Sequence, residues 1–242
     1  MFEFLKNIMN KEKNPLTNEE NSFHRILKSD IRKEPNSLED EIIFGCGCFW
    51  GAEKCFWKLP GVVTTSVGYA GGHKKNPTYY EVCSGLTGHS EVVRIIWNKN
   101  EIDISDLLKM FWECHDPTQK NRQGNDIGSQ YRSAIYFKNE NNKKTILASK
   151  EQYQKELNKK NLGLIETEIK MIDNYYYAEQ YHQQYLASEG SRQYCSASPT
   201  KVKLGEFPGS SYKLKEYIWE NFNWEIDKCV LRSDNNPIKN NF

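Results

Sequence analysis

The stretch GCGCFWG, residues 45–51, brings two thiols together with three glycines and two large aromatic side chains. Glycine has no side chain, so the neighbours of Cys48 let the atoms of another molecule come close to its sulfur. Phe49 and Trp50 would form an apolar wall beside that sulfur. This combination suits a nucleophilic thiol that acts on a partly apolar ligand.

The elements around Cys48 predict why its thiol could react. The apolar run 42–44 predicts a buried strand, and the apolar spacing of residues 49–59 predicts a helix. Cys48 would then lie at a helix N-terminus, where unpaired N–H groups and the helix dipole lower the pKa of a cysteine. The alternative is a small cysteine that merely packs at a tight turn.

Cys46 lies two residues before Cys48, and a Cys-x-Cys pair is compatible with half of a zinc site or with a redox pair. A zinc site needs about four ligands, and the sequence has no second ligand pair at suitable spacing. We therefore predict no metal site and a structural role for Cys46.

Glu91 stands out in the predicted strand 90–97, because it shares one strand face with Val93, Ile95 and Trp97. A carboxylate in an apolar row lies either at the rim of the sheet or partly buried. Burial would raise its pKa and make it a proton donor near neutral pH. The sequence alone leaves both alternatives open.

Two polar loops are candidates for binding. The loop 116–131 is long and rich in Gly, Asn and Gln, and it runs directly into a predicted strand, which favours an ordered binding loop. The loop 68–88 contains Tyr79 and Tyr80, and either hydroxyl could donate a hydrogen bond. The pattern does not choose between the two tyrosines.

Composition excludes several classes of function. The 242 residues include 33 basic and 32 acidic side chains, which gives no electrostatic case for nucleic acid or an anionic membrane. The odd count of seven cysteines indicates reduced thiols in a cell interior. The N-terminal stretch lacks the 7–15-residue apolar run of a signal peptide, and no apolar run approaches 18 residues, so we expect neither a signal peptide nor a membrane helix. We expect a cytoplasmic protein, with organellar targeting by the N-terminal segment left open.

The order of predicted elements indicates the fold class. Strands and helices alternate as β-α-β-β-α-β between residues 41 and 137, which predicts an α+β fold with a ferredoxin-like split βαβ core. A further helix over 143–160, a strand over 164–172 and a short helix over 178–187 are expected to follow. Beyond residue 188 the chain is irregular, but its aromatic content predicts that it packs against something.

Taken together, the motifs resemble the A-type peptide methionine sulfoxide reductases. The matching segments, in chain order, are GCFWG (47–51), GYAGG (68–72), NPTY (76–79), EVCSGLTGHSEVVR (81–94), FWECHDPTQ (111–119), RQGNDIGSQYRSAIY (122–136) and YYAEQYHQQYL (176–186). The resemblance implies a catalytic domain over 41–195. It leaves residues 1–40 as a disordered or loosely docked N-terminal extension and 196–242 as a C-terminal extension.

The resemblance also implies a role for each matching residue. Cys48 would attack the sulfoxide sulfur, while Phe49 and Trp50 would hold the methyl group of the substrate. Glu91 would be the general acid toward the sulfoxide oxygen. Hydrogen bonds would come from Tyr79 and Tyr131, and Asp126 would organise the polar network. The expected product on Cys48 is a sulfenic acid, which a second thiol resolves to a disulfide.

Cys195 matches the position of the first recycling cysteine in the family, and we expect it on a flexible segment. Cys229 lies in a longer C-terminal extension than the family pattern has, so we treat it as a possible second recycling thiol or an idle one. The resemblance implies specificity for the S epimer and reduction by thioredoxin or a dithiol. Oxidised proteins or peptides would be the substrates, and we expect a monomer without a bound cofactor or metal.

Two other readings remain in contention. Residues 46–50 superficially match the motif around the nucleophile of papain-type peptidases, and His182 follows at a compatible distance along the chain. We expect His182 to lie on a helix surface instead. A second alternative is a redox-sensing module in which Cys48 is oxidised without turnover of a substrate.

Overall fold

The computed structural model describes residues 22–226 and 229–240, and at Cys229 it describes the backbone alone. A six-stranded mixed sheet with helices gives an α+β fold. The strands are β1 (Glu39–Cys46), β2 (Val62–Ala70), β3 (Ser90–Asn98), β4 (Arg122–Gln123), β5 (Asp126–Ile127), β6 (Ser133–Phe137), β7 (Glu168–Met171) and β8 (Tyr175–Tyr177). The helices are α1 (Phe49–Trp57), α2 (Tyr79–Cys83), α3 (Ile104–Cys114), α4 (Asn141–Lys159), α5 (Glu216–Trp219) and α6 (Cys229–Arg232).

The sheet has the order β7-β6-β1-β3-β2-β8, and β4 pairs with β5 in a separate hairpin. Neighbours in the large sheet are antiparallel except β6 and β7, which are parallel. Ile42 and Phe44 on the central strand β1 belong to the main core, and the Phe44 ring lies 5.2 Å from Phe56 of α1 and 4.7 Å from Phe111 of α3. Both helices therefore cover the same face of the sheet.

The main helices and the strands β1, β2 and β3 agree with the predicted positions within a few residues, but two expectations are wrong. The helix expected over 178–187 is a pair of 3-10 turns, because Gln184 adopts a left-handed backbone with φ 47°. The Gln183 side chain bonds to both backbone groups of Val67 at 2.9 Å and holds the chain in this form. The run QYRSAIYF predicts a strand over 130–137, but the strand begins at Ser133, because Ser129–Tyr131 form another 3-10 turn.

The described part of the N-terminal segment packs on the domain. His24 is buried and its Nε2 lies 2.8 Å from the Thr65 hydroxyl of β2, while Ile31 is also buried. Residues 1–21 lie outside the described residues. In the parts of the chain that the structure describes, no helix has both the length and the apolar character needed to cross a membrane.

Candidate active site

Cys48 occupies the N-cap position of α1, as the sequence predicts. Strand β1 ends at Cys46, and Gly47 then turns the chain with a φ of 88°. A Cβ at Gly47 would lie 2.6 Å from Cβ of Gln123, so a side chain has neither the space nor the backbone conformation there. The turn delivers the Cys48 sulfur to the first turn of the helix.

The expectation of a lowered thiol pKa at Cys48 is wrong. Burial raises the pKa of Cys48 well above its usual value, and the nearby charge of Glu91 raises it further. The backbone N–H of Trp50 favours the thiolate, but Cys48 makes no side-chain cap hydrogen bond. The helix N-terminus is therefore outweighed by desolvation and a like charge.

Glu91 is buried rather than at the rim of the sheet, since only 2% of the residue is exposed. Its Oε2 accepts the backbone N–H of Phe49 at 3.1 Å, which ties β3 to the start of α1. Burial raises the pKa of Glu91 to about 8, with the Phe49 N–H acting in the opposite direction and the charge of Asp126 adding to the rise. The carboxyl group can therefore carry a proton at neutral pH.

One pocket of about 80 Å³ collects the residues that the sequence pointed to. Its lining consists of Cys48, Phe49, Trp50, Tyr79, Glu91, Asp126, Tyr131 and Tyr194. Of the two candidate tyrosines in the loop 68–88, Tyr79 is the one that reaches the pocket. Tyr194 was not predicted as a site residue, although its position directly before Cys195 is a signal that could have indicated it.

The side chains of Phe49 and Trp50 are positioned by ring contacts and a hydrogen bond with residues outside the pocket lining. Trp50 stacks on Tyr185 with ring centroids 3.9 Å apart, and its Nε1 donates to Nδ1 of His182 at 3.1 Å. The prediction that His182 lies on a helix surface is wrong: it is 1% exposed, and its ring also lies 5.1 Å from that of Phe49. Burial lowers the pKa of His182 to about 3, so the ring is neutral and positions both aromatic side chains.

Tyr79 and Tyr131 supply neutral hydroxyl groups to the pocket. Burial raises the pKa of both phenols, and the charge of Glu91 adds to the rise in each case. Tyr79 begins α2, whose N-cap Thr78 and Glu81 form a capping box that the Thr-x-x-Glu spacing could have revealed. The backbone N–H of Tyr79 donates to Oε1 of Glu179 at 2.8 Å. Both residues thus remain hydrogen-bond donors over the physiological pH range.

Asp126 connects the pocket to the segment that carries Cys195. One carboxylate oxygen accepts the Tyr194 hydroxyl at 2.6 Å, and the other accepts the Ser196 hydroxyl. In the same hairpin, Oε1 of Gln123 accepts the Ser198 backbone N–H at 3.1 Å. The β4–β5 hairpin therefore grips the chain on both sides of Cys195.

These contacts place Cys195 within the fold, and the flexibility expected of its segment stays a prediction. Cys195 is 6% exposed, and its sulfur packs against Gly51 of α1. The backbone of Cys229 begins α6, but its side chain lies outside the described part of the structure. No disulfide links the six cysteines whose side chains are described.

The comparisons with known proteins agree with this geometry. A family model described as peptide methionine sulfoxide reductase matches residues 40–209. Peptide methionine sulfoxide reductase MsrA of Vibrio vulnificus is 52% identical over 180 residues, covering 74% of this chain and 86% of the relative. The chain belongs to the peptide methionine sulfoxide reductase family. It is therefore an oxidoreductase.

Two further similarities place this reductase among its relatives. MsrA of Azotobacter vinelandii is 56% identical over 164 residues, covering 68% of this chain and 76% of the relative. The solved structure of methionine sulfoxide reductase A of Corynebacterium diphtheriae superposes with a TM-score of 0.64 at 37% identity. That match covers 81% of this chain and 100% of the Corynebacterium diphtheriae chain.

A possible metal site in this reductase does not fit its residues. Among the described residues, ligand atoms of Cys46, Cys114 and His115 lie within 4.8 Å of one another. However, Nδ1 of His115 lies 2.7 Å from the Phe111 carbonyl and Nε2 lies 2.8 Å from the Ser133 hydroxyl. Both ring nitrogens are therefore engaged in the fold, so of this group of three mutually close ligands only the thiols of Cys46 and Cys114 are left, too few for a zinc site.

Proposed function

We propose that this chain reduces the S epimer of methionine sulfoxide, in oxidised proteins or peptides, to methionine. The observation that carries the proposal is that Cys48 and Glu91 line one pocket together with the apolar rings of Phe49 and Trp50. A methyl sulfoxide has an apolar methyl group and a polar oxygen on the same sulfur. A nucleophile between an apolar wall and a proton donor matches both halves.

In the proposed first step, Cys48 Sγ attacks the sulfoxide and Glu91 gives its proton to the sulfoxide oxygen. The oxygen passes to Cys48: an Sγ–O bond forms as the S–O bond of the substrate breaks, which leaves a sulfenic acid on Cys48 and releases the methionine thioether. The proton that the Cys48 thiol loses replaces the one that Glu91 gives to the oxygen, so the protons balance within the pocket. Since an ionised Glu91 raises the pKa of Cys48, a bound oxygen that keeps Glu91 protonated favours the thiolate.

The remaining pocket residues would position the substrate. Phe49 and Trp50 would receive the methyl group, and the hydroxyls of Tyr79 and Tyr131 would donate to the developing charge on oxygen. Asp126 would organise the polar side of the pocket through its bond to Tyr194. The rigid backing of the two aromatic rings by His182 supports this arrangement.

The second step would use Cys195. Its thiolate attacks the sulfenic sulfur of Cys48, and the S–O bond breaks as a Cys48–Cys195 disulfide forms. The hydroxyl group takes up the proton that the Cys195 thiol lost and leaves as water. The packing of the Cys195 sulfur on Gly51, three residues after Cys48, supports this role. Thioredoxin or a dithiol would then reduce the disulfide as an external reductant, with no resident cofactor in the cycle. Cys229 remains a possible further recycling thiol.

We also propose the finer organisation of the molecule. The antiparallel order β6-β1-β3-β2, with α1 and α3 covering one face, supports a ferredoxin-like split βαβ core. The catalytic domain would span 41–195, preceded and followed by the extensions 1–40 and 196–242. A cytoplasmic monomer remains our expectation.

The proposal is tested by methionine release from separate peptides that carry the S or the R sulfoxide, with a small dithiol as reductant. We expect release from the S peptide alone, and none from either peptide with Cys48→Ser. Reduction of the R epimer, or activity that survives Cys48→Ser, would end the assignment. Dithiol-driven turnover also separates an enzyme from a redox sensor, because a sensor releases no steady stream of methionine.

A further inference from the structure

Three more buried thiols lie close together between α1, β1 and α3, outside the pocket just described. Cys46 ends β1, Cys55 lies in α1 and Cys114 ends α3. The sulfurs of Cys46 and Cys114 lie within 4.8 Å of each other, and Cys55 lines the same cavity as both. The three residues are at most 4% exposed. We call Cys46, Cys55 and Cys114 the buried thiol cluster.

Cys195 joins this cluster to the active site. A cavity of about 20 Å³ is lined by all three cluster thiols and by Cys195, and the C-terminal extension closes it with residues such as Trp224. A Cβ at Gly51 would lie 2.5 Å from the Cys195 sulfur, so the missing side chain leaves the space that this sulfur occupies. Positions 48, 51 and 55 follow one face of α1. The Cys195 sulfur is thus placed between Cys48 and the cluster.

Electrostatics agrees with this placement. A charge on Cys195 raises the pKa of Cys48 on one side and that of Cys114 on the other. Cys195 is therefore close enough to influence both thiols. Since Cys46, Cys55, Cys114 and Cys195 all line one cavity, the cluster thiols are neighbours of Cys195.

We propose that Cys114, with Cys46 or Cys55 as its partner, accepts the disulfide that forms between Cys48 and Cys195. The proposal rests on the function proposed above. The Cys114 thiolate attacks Cys195 Sγ, the Cys48–Cys195 bond breaks, and Cys48 leaves as a thiolate that takes up a proton. A thiolate of Cys46 or Cys55 then attacks Cys114 Sγ, and Cys195 leaves in the same way.

The result of these two exchanges is one disulfide within the buried thiol cluster, with Cys48 and Cys195 reduced again. Methionine sulfoxide is the oxidant for the whole sequence, so no other redox partner is needed. The chain would therefore reduce a second sulfoxide before any external reductant acts. Burial raises the pKa of Cys114, so the transfer should be slower than the first reduction and should accelerate as the pH rises.

The test counts the methionine released per chain without reductant, in a Cys229→Ser protein that lacks the C-terminal thiol. We expect two methionines per chain in this background and one when Cys114→Ser is added. The matched control Cys83→Ser, which removes a half-buried thiol outside the cluster, should leave two. Peptide mapping after alkylation should find Cys114 linked to Cys46 or Cys55.

The outcomes separate the two proposals. One methionine per chain in the Cys229→Ser protein, or two in the protein that also carries Cys114→Ser, would overturn the transfer and leave the reductase function intact. The first methionine from the Cys114→Ser protein shows that the variant folds. No methionine from any variant that retains Cys48 would instead overturn the proposed function itself.

Discussion

Glu91 and Cys48 influence each other because both side chains are buried in the same small pocket. The negative charge of an ionised Glu91 raises the pKa of Cys48, second only to burial. Glu91→Gln removes that charge and also removes the proposed proton donor. We expect the Cys48 pKa to fall, while the first methionine is released about 10² to 10³ times more slowly. Cys48 alkylation against pH and single-turnover quenching measure the two effects.

A more reactive thiol in a less active enzyme would be the signature of a proton donor at Glu91. Glu166→Gln is the matched control, because Glu166 is exposed and lies outside the pocket lining, so neither quantity should change. If Glu91→Gln reduced sulfoxide at the wild-type rate, the carboxyl group would have no part in proton transfer.

At the scale of single residues, the sequence predicts identities better than it predicts environments. Cys48 at a helix N-cap could be read from the Gly-Cys-Phe-Trp pattern, because strand and helix periodicities meet there. Its raised pKa could not, since Glu91 and the burial of the pocket come from residues far away along the chain. The prediction that His182 lies on a helix surface was wrong for the same reason, because Trp50 and Phe49, which are far away along the chain, bury it.

Helix α1 needs a glycine at position 51 so that the segment 194–198 can lie across it. In Gly51→Ala, the new Cβ would lie 2.5 Å from Cys195 Sγ, so the cysteine must move away. We expect the Cys48–Cys195 disulfide to form about tenfold more slowly, or slower still, because the displaced thiol loses its effective concentration at Cys48. The first methionine should still be released, and sulfenic acid should accumulate and be trapped by a 1,3-dione reagent.

Gly163→Ala is the matched control for that experiment. A Cβ at Gly163 would make an ordinary contact of 3.5 Å with Thr118, far from α1 in sequence and with no cysteine involved. Disulfide formation should keep its rate there. An equal rate in Gly51→Ala would mean that Cys195 reaches Cys48 from a position other than the one beside Gly51.

The elements that could be predicted are those whose apolar periodicity is long enough to be read. Helix α3 follows the Asp103 cap, and its apolar residues at 104, 107, 108, 111 and 112 recur at helical spacing, so its position follows from the sequence. The 3-10 turns near Gln183 depend on contacts between its side-chain amide and the backbone of Val67, which no local pattern reveals. Strand β8 is only three residues long and was missed for a similar reason.

For the whole molecule, the C-terminal extension acts as a strap across α1. Lys54 Nζ donates to the Ser233 carbonyl at 2.8 Å, and Trp57 Nε1 donates to the Asn235 carbonyl at 3.0 Å. Ile238 returns a backbone hydrogen bond to the Lys58 carbonyl at 2.9 Å. Its aromatic content predicted that the extension packs against something, but the partner depends on chain direction after residue 199, which composition cannot give.

Lys58 makes three side-chain hydrogen bonds to this strap. Its side chain is 5% exposed, and Nζ bonds to the carbonyls of Asp234 and Asn236 at 3.1 and 3.0 Å, with the Asp234 carboxylate at 3.4 Å. Lys58→Met keeps the apolar stem but leaves these acceptors without the cation. We expect unfolding free energy to fall by about 1.5 to 3 kcal/mol, and limited proteolysis to cut first within 233–240. Lys155→Met, on the exposed side of α4, should change neither quantity. A Lys58→Met protein as stable and as protease-resistant as that control would show that the extension is held by its apolar contacts alone.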